Sequence, residues 1–244
     1  MSGASPILPG SHPVWVVGLV TLLCASLARA LRGVSLSGAV AGGVVCFVLY
    51  VASGPAAFTL LVLLFILTWG ATRLGYQRKQ TLGTAEKKEG RTASQVLANV
   101  GVAAACAAAY RWCGNAALLL GMCTALSEAA ADTVSSEIGQ TSSREARLIT
   151  NWRRVPAGTN GGISIAGTLA GAGAALFITA AGILTGLISR HDLLTSFVAA
   201  FAGMICDSYL GATLERRGLL NNNTVNFLGT LTAALVVAIW HFYF

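Results

Sequence analysis

"GISIAGTLAGAGAALFITAAGILTGLI", residues 162–188, runs for 27 residues without one charged side chain. About twenty apolar residues are enough to cross a bilayer as an α-helix. The run does not alternate polar with apolar as a barrel strand would, and it is rich in Ala, Gly and Leu, so it reads as a membrane helix. Directly before it stands "VPAGTNGGIS", residues 155–164, a glycine-rich turn preceded by Arg147, Arg153 and Arg154. A flexible, donor-rich turn at the mouth of a membrane helix is the feature that needs a chemical reason.

The pattern repeats outward from this run. The 244-residue chain is 55% hydrophobic and only 10% charged, against about 25% charged in a soluble domain. Eight spans are expected, near Val14–Leu31, Leu36–Ala52, Ala56–Ala71, Val96–Tyr110, Gly114–Ala131, Gly162–Ile188, Leu193–Leu214 and Thr224–Phe242. The fold class expected is therefore all-α, a polytopic membrane helical bundle over residues 1–244 as a single domain. Some spans are short, and Val96–Tyr110 and the acidic end of Gly114–Ala131 are expected to be partly broken.

Charge orients the bundle. With both termini outside, the inner loops hold Arg29, Arg32, Arg73, Arg78, Lys79, Lys87, Lys88, Arg91, Arg144, Arg147, Arg153, Arg154, Arg216 and Arg217, fourteen of the sixteen basic residues. Only Arg111 and Arg190 fall outside. This asymmetry follows the positive-inside rule, and the aromatic residues Trp15, Trp69, Trp112, Trp152, Trp240 and Tyr243 fall near the two interfaces. The net charge of +7 thus belongs to membrane topology and excludes a nucleic-acid partner as its explanation. The first span is read as retained, because its basic residues follow the apolar stretch where a cleaved leader would have them precede it.

Six cysteines lie in or beside apolar runs without a CxxC pair, which suits small packing residues and neither zinc nor a disulfide framework. His12, His191 and His241 stand near span ends, far apart, and are assigned no chemistry. The spacings Gly38/Gly42, Gly167/Gly171 and Gly182/Gly186 permit close helix crossing within the chain, with a homodimer as the alternative.

Carboxylates at membrane depth are costly and mark function. Glu128 and Asp132 share one helix face, Glu137 follows in "ADTVSSEIG", and Asp207 with Ser208 opens "DSYLGATLE". Asp132 and Asp207, from two helices at one level, suit Mg²⁺, which takes one or two carboxylates and fills its shell with water and phosphate oxygens. Glu128 is a further candidate for the metal and Glu137 for the reaction. Buried acids bonded to arginines are the competing structural reading.

The glycine turn then acquires its reason. A helix start offers unpaired N–H groups and a positive dipole end, and glycines let backbone approach a phosphate. Gly158, Thr159, Asn160, Gly161 and Gly162, with Arg147 and Arg154, form the candidate phosphate cradle. "KKEGRTASQVLAN", residues 87–99, adds Lys88, Arg91, Gln95 and Asn99, and "NNNTVNF", residues 221–227, adds Asn222 and Asn226. Asn-rich linkers also serve as helix caps.

Taken in order, "EGRTASQVLAN", "ADTVSSEIG", "RLITNWRRVPAGTNGGIS", "DSYLGATLE" and "NNNTVNF" resemble an integral-membrane family of long-undefined function that includes plant phytyl-phosphate kinase and animal transmembrane protein 19. The resemblance covers roughly residues 70–240 and departs at Val134, where an aromatic is common, and at Glu215, where Gln is common. It implies phosphorylation of an isoprenoid monophosphate to its diphosphate by a nucleoside triphosphate, CTP being one candidate. It implies roles for Arg91, Gln95, Asn99, Asp132, Glu137, Arg147, Gly158, Thr159, Asn160, Gly161, Gly162, Asp207, Asn222 and Asn226. A lipid nucleotidyltransferase, or a transporter or flippase of a phosphorylated lipid, would use similar groups. The expected setting is a bacterial cytoplasmic membrane, with the site facing the cytoplasm.

Overall fold

A computed structural model describes residues 13–142 and 145–243; His12 and Arg144 lie outside the described residues. The chain is an all-α polytopic membrane bundle. Its helices are α1 (Val14–Ala30), α2 (Leu36–Arg73), α3 (Tyr76–Leu82), α4 (Ala93–Cys113), α5 (Ala116–Ser142), α6 (Ile165–Leu184), α7 (Asp192–Leu210) and α8 (Asn222–Tyr243). Six of them are long and apolar enough to cross a membrane, and α1 is a shorter apolar helix.

Helix α2 is two arms. Gly54 stands at φ 77° and Pro55 starts the second arm, a residue pair that reverses the chain cheaply because glycine tolerates positive φ and proline suits a helix's first position. The arms run antiparallel. The Tyr50 and Phe58 rings lie 5.7 Å apart, and at the other end Arg73 Nη2 and Trp69 Nε1 donate to Leu31 O at 2.6 and 3.2 Å. Residues 36–53 and 55–73 thus occupy the two stretches expected as separate spans.

Helix α5 forms the axis. Every residue from Leu120 to Ala131 is buried, so neither face is polar and periodicity cannot mark it. Four hydroxyls meet within the apolar interior, with Thr124 Oγ1 and Ser196 Oγ 2.9 Å apart and Ser127 Oγ and Thr179 Oγ1 3.0 Å apart. Small residues bring neighbours close: a Cβ placed on Gly171 of α6 would lie 2.7 Å from Ala131 O, and one on Gly167 would lie 2.6 Å from Ser135 O. The Gly167/Gly171 spacing therefore serves packing within the chain.

Several expectations need correction. Helices α4 and α5 are unbroken; α5 continues as one helix to Ser142 because its polar half lies against protein. Gly162 and Ile163 form a strand and not the start of a helix; α6 begins at Ile165, capped by Ser164, whose Oγ accepts from Gly167 N at 3.1 Å. A small antiparallel sheet, β1 (Glu145–Leu148), β2 (Arg154–Pro156) and β3 (Gly162–Ile163) in the order β2-β1-β3, joins α5 to α6. Helix α7 does not simply end: it widens into a π-turn, Gly211–Glu215, closed by Arg216 N to Gly211 O at 3.3 Å.

Candidate active site

The α5 and α7 ends, the glycine turn and the starts of α4 and α8 meet at the end of the bundle that carries the basic loops. They enclose a polar cavity of about 490 Å³. Asp132, Glu137, Asp207, Ser208, Arg91, Gln95, Asn99, Asn222, Asn226 and all of Gly158, Thr159, Asn160, Gly161 and Gly162 line it. Five stretches scattered over 135 residues of sequence thus contribute to one chamber.

Asp132 and Asp207 carry neighbouring carboxyl groups, and Arg91 is the cation acting on Asp132. Two carboxylates that close repel unless a proton or a cation sits between them. Asp207 Oδ2 is buried and has no hydrogen-bond partner among the described residues. The Asp207 backbone is placed by Gly203 one turn earlier and Gly229 of α8, which allow α7 and α8 to close around α5. A Cβ on Gly229 would lie 2.6 Å from Glu128 Oε1 and 3.3 Å from Asp207 Cβ.

The glycine turn is pinned from two sides. Gly161, at φ 73°, abuts Ala212 of the π-turn, where a Cβ would come within 2.5 Å of Ala212 Cα. Gly158 rests on Thr84 of the loop after α3, where a Cβ would come within 2.6 Å of its methyl. Within the turn, Thr159 N donates to Pro156 O and Gly162 N to Thr159 O, at 3.2 and 2.8 Å. The amides of Asn160 and Gly161 have no backbone acceptor among the described residues. Gly161→Val is expected to displace the turn from the π-segment, because a β-branched residue combines positive-φ strain with the Ala212 clash. Turnover should fall at least about a hundredfold while the bundle stays folded, as judged by size-exclusion elution and helical circular dichroism.

Other expected site residues lie elsewhere. Arg147 is exposed and clamps the hairpin by donating to Trp152 O at 3.0 Å. Arg154 is exposed and pairs with Glu145 at 3.4 Å. Neither lines the cavity, because the sheet turns both side chains outward. Lys88 lines a neighbouring apolar cleft. Glu128 is 1% exposed and packs against Gly203 and Gly229 without lining the cavity; its Oε1, like Asp207 Oδ2, is buried without a hydrogen-bond partner among the described residues. Among the described residues no cluster of three or more His, Cys, Asp or Glu could hold a metal ion. Glu137 reaches the cavity, but both its oxygens are engaged: Oε1 accepts from Thr72 Oγ1 at 3.0 Å and Oε2 from Lys79 Nζ at 2.5 Å. It acts as an anchor.

Three residues not singled out in the sequence complete the site. Lys79 is 1% exposed and also donates to Ala71 O and Thr72 O at 3.1 and 2.7 Å. Glu86 accepts from Gln95 Nε2 at 3.0 Å and lies 4.0 Å from Arg91. Thr84 backs the turn. Gln95 in turn caps α4, its Oε1 accepting from Thr92 N at 2.8 Å, and Asn99 Nδ2 donates to Gln95 O at 2.8 Å. Asn221 is the cap of α8, its Oδ1 accepting from Thr224 N at 3.0 Å, which leaves Asn222 and Asn226 to the cavity.

No solved structure matches the chain. Among curated proteins it is similar to an uncharacterized membrane protein of Synechocystis, 34% identical over 79% of this chain and 77% of that one. It is also similar to an uncharacterized membrane protein of Methanocaldococcus jannaschii, 32% identical over 89% of this chain and 90% of the relative. The protein VTE6, chloroplastic, of Arabidopsis thaliana is 29% identical over 97% of this chain and 76% of its own. The model of the family described as integral membrane protein DUF92 matches residues 19–234, and with that match the chain belongs to the DUF92 family of integral membrane proteins.

Proposed function

We propose that the chain is a membrane-embedded kinase that converts an isoprenoid monophosphate, phytyl or prenyl, to the diphosphate with a nucleoside triphosphate and Mg²⁺. The observation that carries this reading is the convergence of Asp132, Asp207 and the Gly158–Gly162 turn in one polar cavity, at the bundle end where the basic loops gather. Family membership, and the motif resemblance to the group that contains plant phytyl-phosphate kinase, support it. We take this end to face the cytoplasm, where nucleotides are.

Asp132 and Asp207 fit Mg²⁺: two adjoining carboxylates, one with a buried oxygen that has no hydrogen-bond partner among the described residues, match an ion that needs few protein ligands beside phosphate oxygens. When bound, the ion neutralises charge on the phosphoryl oxygens. The amides of Asn160 and Gly161 are free to donate to anionic oxygens, and Arg91 supplies a half-buried cation at the mouth. An acceptor phosphate, whose second pKa lies near 6, is already ionised at neutral pH. Its oxygen attacks the γ-phosphorus, the bond from that phosphorus to the β–γ bridging oxygen breaks, and the nucleoside diphosphate leaves with the electron pair. No proton need be removed, so the chamber needs no general base.

Purified protein given γ-labelled triphosphate and a prenyl monophosphate should yield labelled prenyl diphosphate. A lipid–nucleotide conjugate, or no turnover at all, contradicts the kinase reading. Arg153→Ala is expected to change turnover less than about threefold, since its side chain is an exposed charge outside the cavity and surface charges contribute little.

A further inference from the structure

Beside the polar chamber lies a second cavity of about 530 Å³, between α1, both arms of α2 and the start of α4. Its walls are apolar for most of their length, with Leu61, Val62 and Phe65 on the second arm, Ala28 on α1 and Leu31 just past its end. Its charged residues gather at one end: Arg32, Arg73, Glu86, Lys87, Lys88 and Arg91. Glu86, Lys87, Arg91 and Asn99 line both cavities, so the two chambers meet at that end. From Thr72 to Phe58 the second arm rises about 21 Å at 1.5 Å per residue, deeper than one leaflet of a hydrocarbon core about 30 Å thick.

We infer that this cleft seats the single hydrocarbon tail of the lipid phosphate, with its head group at Arg91, and that Phe58 limits the length of tail accepted. The inference rests on the lipid-phosphate reading above. A basic mouth, an apolar bore and a direct opening onto the Asp132–Asp207 chamber match an amphiphile with one anionic head. A cavity of this size takes one drug-sized molecule and leaves no room for a second chain. Phe58 stands at the deep end, its ring 5.7 Å from Tyr50 near the close of the first arm, whereas Gly42 lies one turn below the mouth, beside Val96 of α4. A Cβ placed there comes no nearer than 4.0 Å to any other group, that one being Val96 Cγ1. Gly38, one turn nearer the mouth, is different: its Cβ would collide with Arg91 O. The Gly38/Gly42 pair therefore does two jobs, close packing at the mouth and open bore below it.

The test is binding of geranyl, farnesyl and geranylgeranyl monophosphate to purified protein in nanodiscs without nucleotide. Wild type should bind more tightly at each added prenyl unit, since a buried methylene strengthens binding about fourfold at best. Gly42→Leu, which fills the bore one turn below the mouth, should weaken all three ligands at least tenfold. Phe58→Ala, which opens the deep end, should strengthen the longest and leave the shortest unchanged; it decides the matter alone if Gly42→Leu fails to fold. Equal effects of Phe58→Ala on all lengths, or no effect in either variant, overturn the inference and leave the cleft to bilayer lipid. The two proposals fail separately. Length-dependent binding without diphosphate formation sinks the kinase, and diphosphate formation with unaltered length preference in Phe58→Ala sinks the tail site.

Discussion

Asp207→Asn is expected to reduce Mg²⁺-dependent turnover at least about a thousandfold, the scale on which removal of one essential charge-stabilising group acts. Turnover should fall without loss of fold. Asp132 and Asp207 adjoin each other, so in the metal-free protein the substitution removes a repulsion, and the thermal midpoint in detergent should hold or rise. Added Mg²⁺ with a non-hydrolysable triphosphate should raise the wild-type midpoint, because a ligand that binds only the folded state stabilises it. The same addition should leave the Asp207→Asn midpoint where it was. Wild-type turnover in that variant would remove Asp207 from the site.

The largest effect on stability is expected at Lys79. Its ammonium is buried, donating to Glu137, Ala71 O and Thr72 O, and it ties α3 to both the second arm of α2 and the α5 end. Lys79→Met leaves the Glu137 carboxylate without its cation, a change that costs about 3–5 kcal/mol when one partner of a buried pair is removed. For a chain of this size that corresponds to a drop of about 6–20 °C in the thermal midpoint. Lys79→Met with Glu137→Gln should recover at least half of the loss, since the uncompensated charge is gone. A double variant no more stable than Lys79→Met would mean that the backbone carbonyl bonds, and not the ion pair, carry the energy.

The spans were legible because each is a long apolar run, and the α2 reversal was legible only as the gap between the runs Leu36–Ala52 and Ala56–Ala71. The sheet was not. Its strands are two to four residues long, too short for alternation to register, and its Arg and Gly residues read as loop. The unbroken course of α5 was hidden because its charged half packs against protein instead of lipid. Asp132, Asp207 and the glycine turn stood out as polar chemistry beside apolar runs. Lys79 did not, because fourteen basic residues on one side look alike until one is seen to be buried. Gly203 and Gly229 were equally silent: a glycine that admits a neighbouring helix is marked only by that neighbour. Arg147 and Arg154 were drawn into the cradle by sequence proximity, but in an extended strand neighbouring side chains point opposite ways, and register turned both outward.

Asp132 and Asp207 are proposed to hold one divalent ion jointly. Mn²⁺ in place of Mg²⁺, titrated into purified protein with a non-hydrolysable triphosphate and followed by electron paramagnetic resonance, reads it directly. One tight site is predicted in wild type, lost alike in Asp132→Asn and in Asp207→Asn; wild-type Mn²⁺ affinity in either variant would contradict the account.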